Sequence, residues 1–117
     1  MGIRAVVLAV LFLAQAAPRP ALYRTPLTLA EMRDKQAVVE TTMGTFVMAL
    51  MPEAAPNHVG YFIKLANDGA YAGTIFHRVI RYGMVQGGDP LSKDPSKSGQ
   101  YGTGGLNLLE NEFKDEK

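Results

Sequence analysis

Residues 74–80, Thr-Ile-Phe-His-Arg-Val-Ile, decide the fold together with residues 86–89, Gln-Gly-Gly-Asp. The first stretch is apolar and β-branched on both sides of Arg78, which predicts a β-strand that contains a buried guanidinium. Burying a guanidinium costs free energy unless another group pairs with it. Arg78 is therefore either half of a buried ion pair or a group kept for its effect on a ligand.

The segment before this stretch predicts a β-hairpin. Residues 37–42 and 45–51 are rich in β-branched and other apolar residues, and Met43-Gly44 between them is suited to a turn. Apolar side chains fall on both faces of the second strand. We therefore expect an antiparallel hairpin with both faces at least partly buried, which is suited to a barrel wall.

A helix is predicted after the hairpin. Pro56 is suited to the first helical position, and Asn67-Asp68-Gly69 predicts the end, with Gly69 in the left-handed conformation. Gly60 lies in the helix interior, where it costs about 1 kcal/mol relative to Ala, and the sequence offers no reason for it. The apolar stripe recurs at the spacing of one helical face and consists of Val59, Phe62, Ile63 and Ala66.

The rest of the chain predicts one short strand and a long loop. Residues 84–86 are suited to the strand. Residues 87–105 are rich in Gly, Ser, Pro, Lys and Asp, which predicts an exposed loop. Residues 110–117 are mostly charged.

Composition narrows the classes of function. The 117 residues are 47% hydrophobic and 20% charged with a net charge of +1, an ordinary balance for one small globular domain. The Lys and Arg residues are scattered, which argues against nucleic acid as a partner. There is no cysteine, so disulfides and cysteine-based zinc sites are excluded. Two histidines without clustered carboxylates predict no metal site.

Residues 1–17 predict a secretory signal peptide. A basic start at Arg4 precedes the apolar run 5–14, and Ala14-Gln15-Ala16 fits the small-x-small cleavage pattern. The run is shorter than the roughly 20 apolar residues that span a bilayer, so we expect no stable membrane insertion after cleavage. The alternative is a buried N-terminal strand or helix. We expect an exported protein, periplasmic or secreted, that begins with a linker or arm at residues 18–35.

The motifs at 74–80 and 86–89 resemble Phe-His-Arg-Val-Ile and Gln-Gly-Gly-Asp of the cyclophilins, a family of peptidyl-prolyl cis-trans isomerases. The order of hairpin, helix, Arg strand, Gln strand and Gly-rich loop is similar to the first half of a cyclophilin domain. The resemblance runs from about Val38 to Gly105. It implies a mainly β fold, a cyclophilin-like closed antiparallel β-barrel with capping α-helices, at residues 36–117 and incomplete in this chain.

The resemblance also implies an activity, the isomerisation of X-Pro bonds during folding of exported proteins, with no cofactor. Arg78 is then the donor aimed at the prolyl amide, and Gln86 hydrogen-bonds the substrate backbone and helps to hold Arg78. Met84 lines the pocket for the proline ring, and Tyr82 and Phe76 contact the substrate. The substrates are proline-containing polypeptides, and we expect a monomer.

The two histidines are predicted to be outside the chemistry. His77 neighbours Arg78, and in a regularly alternating strand it points to the opposite face, which favours a structural role. His58 lies at the predicted helix start, where it is exposed or caps the helix.

Two departures from the family pattern keep other functions open. Residues 81–84 are Arg-Tyr-Gly-Met where cyclophilins usually carry Pro-Gly-Phe-Met, so Gly83 replaces a Phe that forms one wall of the proline pocket. Tyr82 is the candidate replacement wall. The chain also ends at Lys117, before the family's later strands, so we expect a fragment of a longer reading frame. The alternatives are a non-catalytic proline-peptide-binding module or holdase chaperone, and a product that never folds.

Overall fold

A computed structural model of the chain describes residues 18–113, so the predicted signal peptide lies outside the described residues. Two short 3-10 helices, Pro90–Lys93 and Pro95–Gln100, follow the last strand. The helices and strands before them are α1 Leu29–Met32, β1 Gln36–Thr41, β2 Gly44–Ala49, α2 Pro56–Asn67, β3 Phe76–Ile80 and β4 Met84–Gly87.

The strands form two separate antiparallel hairpins. In the first, β1 pairs with β2 from Gln36 opposite Ala49 to Thr41 opposite Gly44. In the second, β3 pairs with β4. The mainly β prediction is confirmed, but residues 18–113 do not form the predicted closed barrel, because the two sheets are not joined by backbone pairing.

Strand β2 is exposed along its whole length in this part of the chain. Phe46 and Val47, which point to opposite faces, keep 42% and 54% of their surface exposed. The expectation that both faces are partly buried is therefore wrong for the described residues. A two-stranded sheet has no neighbouring strands, and here no helix packs over it to cover either face.

Helix α2 agrees with the sequence. It begins at Pro56 and ends at Asn67, and Gly69 follows with φ of +71°, the left-handed conformation that the stop signal predicts. Among residues 18–113, no helix is both long enough and apolar enough to cross a bilayer.

Gly60 is explained by a contact with the N-terminal arm. Its backbone is buried, and a Cβ atom built there would overlap Oγ1 and Cβ of Thr25. The backbone N–H of Thr25 also donates to Asn57 Oδ1 at 2.9 Å. The arm therefore crosses α2 at a point where only a residue without a side chain leaves room.

The arm, residues 18–35, packs on α2 and on the C-terminal segment, residues 106–113. The Tyr23 and Tyr61 rings have centroids 4.7 Å apart, and the Tyr23 N–H donates to the Leu108 carbonyl at 2.7 Å. Within the arm, Thr28 and Glu31 form a capping box that begins α1. Helix α1 supplies Met32, which is fully buried, as is Pro52 after β2.

Glu112 of the C-terminal segment caps the start of α2. Its carboxylate accepts from the backbone N–H groups of Asn57 and His58, each at 2.9 Å, and lies 2.7 Å from His58 Nδ1. The helix has no cap of its own, because its N-cap residue is Ala55. A residue far along the chain thus satisfies two of the N–H groups that a helix start leaves unpaired.

The predicted exposed loop at 87–105 is wrong in part, since it contains the two 3-10 helices. Asp89 and Asp94 each cap one of them and each precedes a Pro. An Asp cap followed by Pro at the first helical position is a start signal that the sequence carries twice.

Candidate active site

Arg78 and Gln86 lie opposite each other on the β3–β4 hairpin. The register pairs Arg78 with Gln86 and, two residues along each strand, Ile80 with Met84. Directly opposite residues of an antiparallel pair share a face, with Cβ atoms about 4.5–5.5 Å apart. The hairpin therefore presents a guanidinium, an amide and a thioether on the same face.

Arg78 is exposed, so the prediction of a buried guanidinium is wrong. Its face of the two-stranded sheet is open in the described part of the chain. Between residues 18 and 113 it takes part in none of the salt bridges. An accessible guanidinium next to an amide is available to donate to a ligand.

Phe76 is separated from Arg78 by a β-bulge. Phe76 pairs with Gly87, the neighbour of Gln86, and so falls on the opposite face of the hairpin. There its ring centroid lies 6.4 Å from that of Phe46 on β2, a contact between the two hairpins. The structure does not bring Phe76 to the Arg78 face, and its contact with substrate stays a prediction.

Tyr82 lies at the tip of the hairpin. It has φ of +60°, keeps 93% of its surface exposed and stacks on the Arg81 guanidinium at 4.8 Å from the ring centroid. Tyr82 thus does not form a wall beside Met84 in this structure. A Cβ atom at Gly83 would lie 3.0 Å from Cγ2 of Ile80, so a larger residue there requires Ile80 to shift.

His77 is the extra residue of the bulge. Its ring packs edge-on against Tyr101, with centroids 6.3 Å apart, and both ring nitrogens are buried without a hydrogen-bond partner in the described residues. Arg78 is exposed, so the two neighbours differ in environment. The structural role of His77 stays a prediction.

Asp89 is one of two buried polar residues between residues 18 and 113, and the Gln-Gly-Gly-Asp motif that contains it does not predict its contacts. Only 8% of its surface is exposed. Its carboxylate accepts from the backbone N–H of Leu91 at 2.7 Å, of Gly104 at 3.2 Å, and of Gly102. Burial alone would raise the pKa of Asp89, but these three N–H groups outweigh it, and the pKa is lowered below its ordinary value.

Ser92 connects Asp89 to the start of β3. Its hydroxyl donates to the Asp89 carbonyl at 2.6 Å and accepts from the Ile75 N–H at 3.0 Å, while Ser92 is itself buried. The sequence signals local to this cluster are the Asp89-Pro90 pair and the Gln-Gly-Gly-Asp motif, and neither points to partners that lie up to 17 residues away.

Gln86 and His77 also line a cavity of about 620 Å³. Apolar side chains of α2 and of the C-terminal segment complete the lining, among them Tyr61, Leu65 and Leu108. A second cavity of about 690 Å³, beside β1 and the end of β2, contains no predicted site residue. Residues 18–113 hold no group of three or more His, Cys, Asp or Glu side chains placed for a metal ion.

This arrangement matches a known class of protein. Residues 37–117 fit the model of the cyclophilin-type peptidyl-prolyl cis-trans isomerases, and the chain belongs to that family. Both site motifs fall inside the matched region.

Individual relatives agree with the family. The chain is 42% identical over 78 residues to peptidyl-prolyl cis-trans isomerase-like 1 of Neurospora crassa, covering 67% of this chain and 43% of that protein. It is 43% identical over 82 residues to peptidyl-prolyl cis-trans isomerase 9 of Schizosaccharomyces pombe, covering 70% and 12%. Peptidyl-prolyl cis-trans isomerase-like 1 of Mus musculus is 40% identical over 78 residues, covering 67% and 42%. The chain spans less than half the length of these relatives, and no solved structure matches it.

Proposed function

We propose that this chain accelerates the cis–trans isomerisation of X-Pro bonds in polypeptides. The observation that carries the proposal is the pairing of Arg78 with Gln86 on an accessible face of the β3–β4 hairpin. Membership of the cyclophilin-type family supports the same activity.

The chemistry requires no covalent step. Amide resonance sets a barrier of about 18–20 kcal/mol to rotation about the X-Pro bond. A donor that withdraws the prolyl nitrogen lone pair from resonance lowers this barrier, provided that it favours the twisted amide over the planar forms. Arg78 is that donor because its charge is permanent and its N–H groups have a fixed planar geometry. Gln86 holds the substrate backbone, and Met84 contacts the proline ring.

The test is exchange NMR on a short X-Pro peptide in the presence of the full chain, with Arg78→Ala as the variant. We expect measurable acceleration by the unmodified chain and a loss on the order of 100-fold in the variant, as for removal of a single transition-state donor. Arg81→Ala is the matched control, because Arg81 lies on the same hairpin but pairs with the ring of Tyr82.

Two results would contradict the proposal. One is an unmodified chain that leaves the exchange rate at its spontaneous value. The other is an equal loss for the Arg78 and Arg81 variants, which would show that the hairpin charge matters but the position opposite Gln86 does not.

A second function is favoured by the openness of the site. Arg78 is exposed and Gly83 supplies no wall, so the guanidinium lies in a wetter environment than electrostatic catalysis prefers. The alternative is a non-catalytic module that binds proline-containing peptides or acts as a holdase. Peptide binding without acceleration, unchanged by Arg78→Ala, would select this alternative.

We also propose that the protein acts on exported polypeptides. The support is the basic start, the apolar run at 5–14 and the small-x-small pattern at 14–16. Mass spectrometry of the protein from the producing cell tests this, with a mature N-terminus at Ala17 or Pro18 expected in the exported fraction. An intact Met1 in a protein retained inside the cell would refute it.

A further inference from the structure

We propose that Asp89 is a positioning residue of this site: its carboxylate holds the loop at Gly102–Gly104 against His77, and the held loop maintains the bulge that places Arg78 opposite Gln86. The proposal deepens the proposed isomerase and rests on it for the catalytic readout. Its structural part concerns only contacts among the described residues.

The carboxylate does more than cap the 3-10 helix that follows it. One oxygen, Oδ1, accepts from Leu91 N–H, which is the ordinary cap contact. The other oxygen, Oδ2, accepts from Gly102 and Gly104, 13 and 15 residues further along. A buried carboxylate that uses its second oxygen on a distant loop fixes the position of that loop, because leaving the oxygen unpaired costs free energy.

The loop is shaped to meet this carboxylate. Gly102 has φ of +95°, a conformation that residues with side chains rarely adopt. At position 104, a Cβ atom would overlap Asp89 Oδ1. Glycine at both positions therefore lets the backbone approach the acid closely enough for two N–H groups to share one oxygen.

The loop at Gly102–Gly104 affects the site through its contact with His77. A Cβ atom on Gly102 would lie 3.4 Å from His77 Nε2, and the Tyr101 ring meets the imidazole edge-on. Neither ring nitrogen has a hydrogen-bond partner in residues 18–113, so no hydrogen bond within that part of the chain fixes the imidazole, and a displaced loop is free to displace it. Because His77 is the extra residue of the bulge, a displaced ring changes the backbone that directly precedes Arg78.

A second contact of Asp89 uses its backbone carbonyl, so the effect of the carboxylate can be tested separately. The backbone carbonyl of Asp89 accepts from Ser92 Oγ, which in turn accepts from the N–H of Ile75 at the start of β3. An Asp89→Asn variant keeps this route, because the backbone carbonyl is unchanged. Its single side-chain oxygen cannot accept from Leu91 and from the loop at the same time, so the carboxylate bridge between the cap and the loop is lost.

The matched control is Asp94→Asn. Asp94 also caps a 3-10 helix and also precedes a Pro, but its carboxylate contacts its own turn, where it accepts from Ser96 N–H and Ser96 Oγ and lies 3.9 Å from Lys97 Nζ. Amide signals are followed by ¹H–¹⁵N NMR of the full chain, and X-Pro exchange is followed as above.

For Asp89→Asn we expect upfield shifts and faster hydrogen exchange at Gly102 and Gly104, together with shifts at Arg78 and Gln86 and unchanged signals in α2. We expect the X-Pro exchange rate to fall by about 10- to 100-fold, the range that a misplacement of about 1 Å produces. Asp94→Asn should leave all of these quantities unchanged.

The inference is overturned if the loop signals move while those of Arg78 and Gln86 do not, because Asp89 is then an anchor of the loop only. If the unmodified chain accelerates nothing, the proposed function fails, and the shifts at Arg78 and Gln86 still decide the positioning role. Should Asp89→Asn not fold, Gly104→Ala provides the second variant. Its methyl group displaces the loop without changing a charge, and unmoved signals at Arg78 and Gln86 would again overturn the inference.

Discussion

Replacing Glu112 with Gln should destabilise the folded chain by about 2 kcal/mol, because Glu112 closes the start of α2 from a distant part of the sequence. Burial by itself would raise its pKa, but the His58 side chain and the backbone N–H groups of His58 and Asn57 outweigh this and lower the pKa from 4.5 to about 2. At about 1.4 kcal/mol for each tenfold change in proton affinity, that lowering corresponds to about 3 kcal/mol. The side chain keeps 14% of its surface exposed, and Gln still accepts one hydrogen bond, so the expected loss is smaller.

The assay is urea unfolding of the full chain at pH 7, with Glu110→Gln as the matched control. Glu110 lies two residues away and pairs with Arg24 at 2.8 Å, but both partners are more than half exposed. Exposed pairs contribute about 0–1 kcal/mol, so the control should lose much less than Glu112→Gln. The comparison separates the helix cap from the general removal of a charge in this segment.

The pH dependence has a definite sign. The folded-state pKa of Glu112 is depressed, so its contribution is complete above its unfolded pKa of 4.5 and disappears as the pH falls towards about 2. The difference in unfolding free energy between the unmodified chain and Glu112→Gln should therefore shrink across this window. A difference that persists at pH 2, or equal losses for Glu110→Gln and Glu112→Gln, would refute the electrostatic cap.

Three further changes test the packing. Gly60→Ala should release the arm from α2, because overlap with Thr25 costs about 1–3 kcal/mol and outweighs the gain of about 1 kcal/mol in helix propensity. The measurement is the rate of tryptic cleavage in the arm, which should rise in Gly60→Ala and return to normal when Thr25→Gly is added. Ser92→Ala should lower the unfolding free energy by about 1–3 kcal/mol because it removes the buried hydroxyl that joins the Ile75 N–H, just before β3, to the Asp89 carbonyl, whereas Ser96→Ala at an exposed position should not. Tyr82→Gly should leave peptide binding and X-Pro exchange unchanged, since Tyr82 lies at the exposed hairpin tip; a weaker peptide affinity would instead place its ring in the pocket.

The elements that the sequence predicted well are those whose signals are local. Pro56 and the Asn67-Asp68-Gly69 stop fix both ends of α2 without reference to the rest of the chain. The hairpin at β1–β2 follows from β-branched runs flanking one turn, and the register agrees with it. The Arg78 and Gln86 strands were found for the same reason, since each motif is contained in a few consecutive residues.

The errors arise where a distant contact decides the outcome. Arg78 was expected to be buried because its neighbours are apolar, yet composition does not determine whether another layer covers a strand, and here its face is open. Gly60 had no explanation because its reason, Thr25, lies 35 residues earlier on another element. The bulge at His77 also escaped prediction, since an extra residue in one strand becomes visible only once its partner strand is aligned.

The sequence reveals less about Asp89 than about Arg78, because Asp89 is buried and depends on distant partners while Arg78 is accessible. A residue that acts on a ligand must be accessible, and it is recognisable from the short motif that presents it. A residue that supports it must be buried and satisfied by partners from elsewhere, as Asp89 is by the backbone of Gly102 and Gly104. Glycines in a distant loop cannot be recognised from the sequence as partners of a buried carboxylate, because what they contribute is the absence of a side chain. The hydrogen bonds of each buried carboxylate oxygen identify this kind of support, and those bonds exist only in the folded chain.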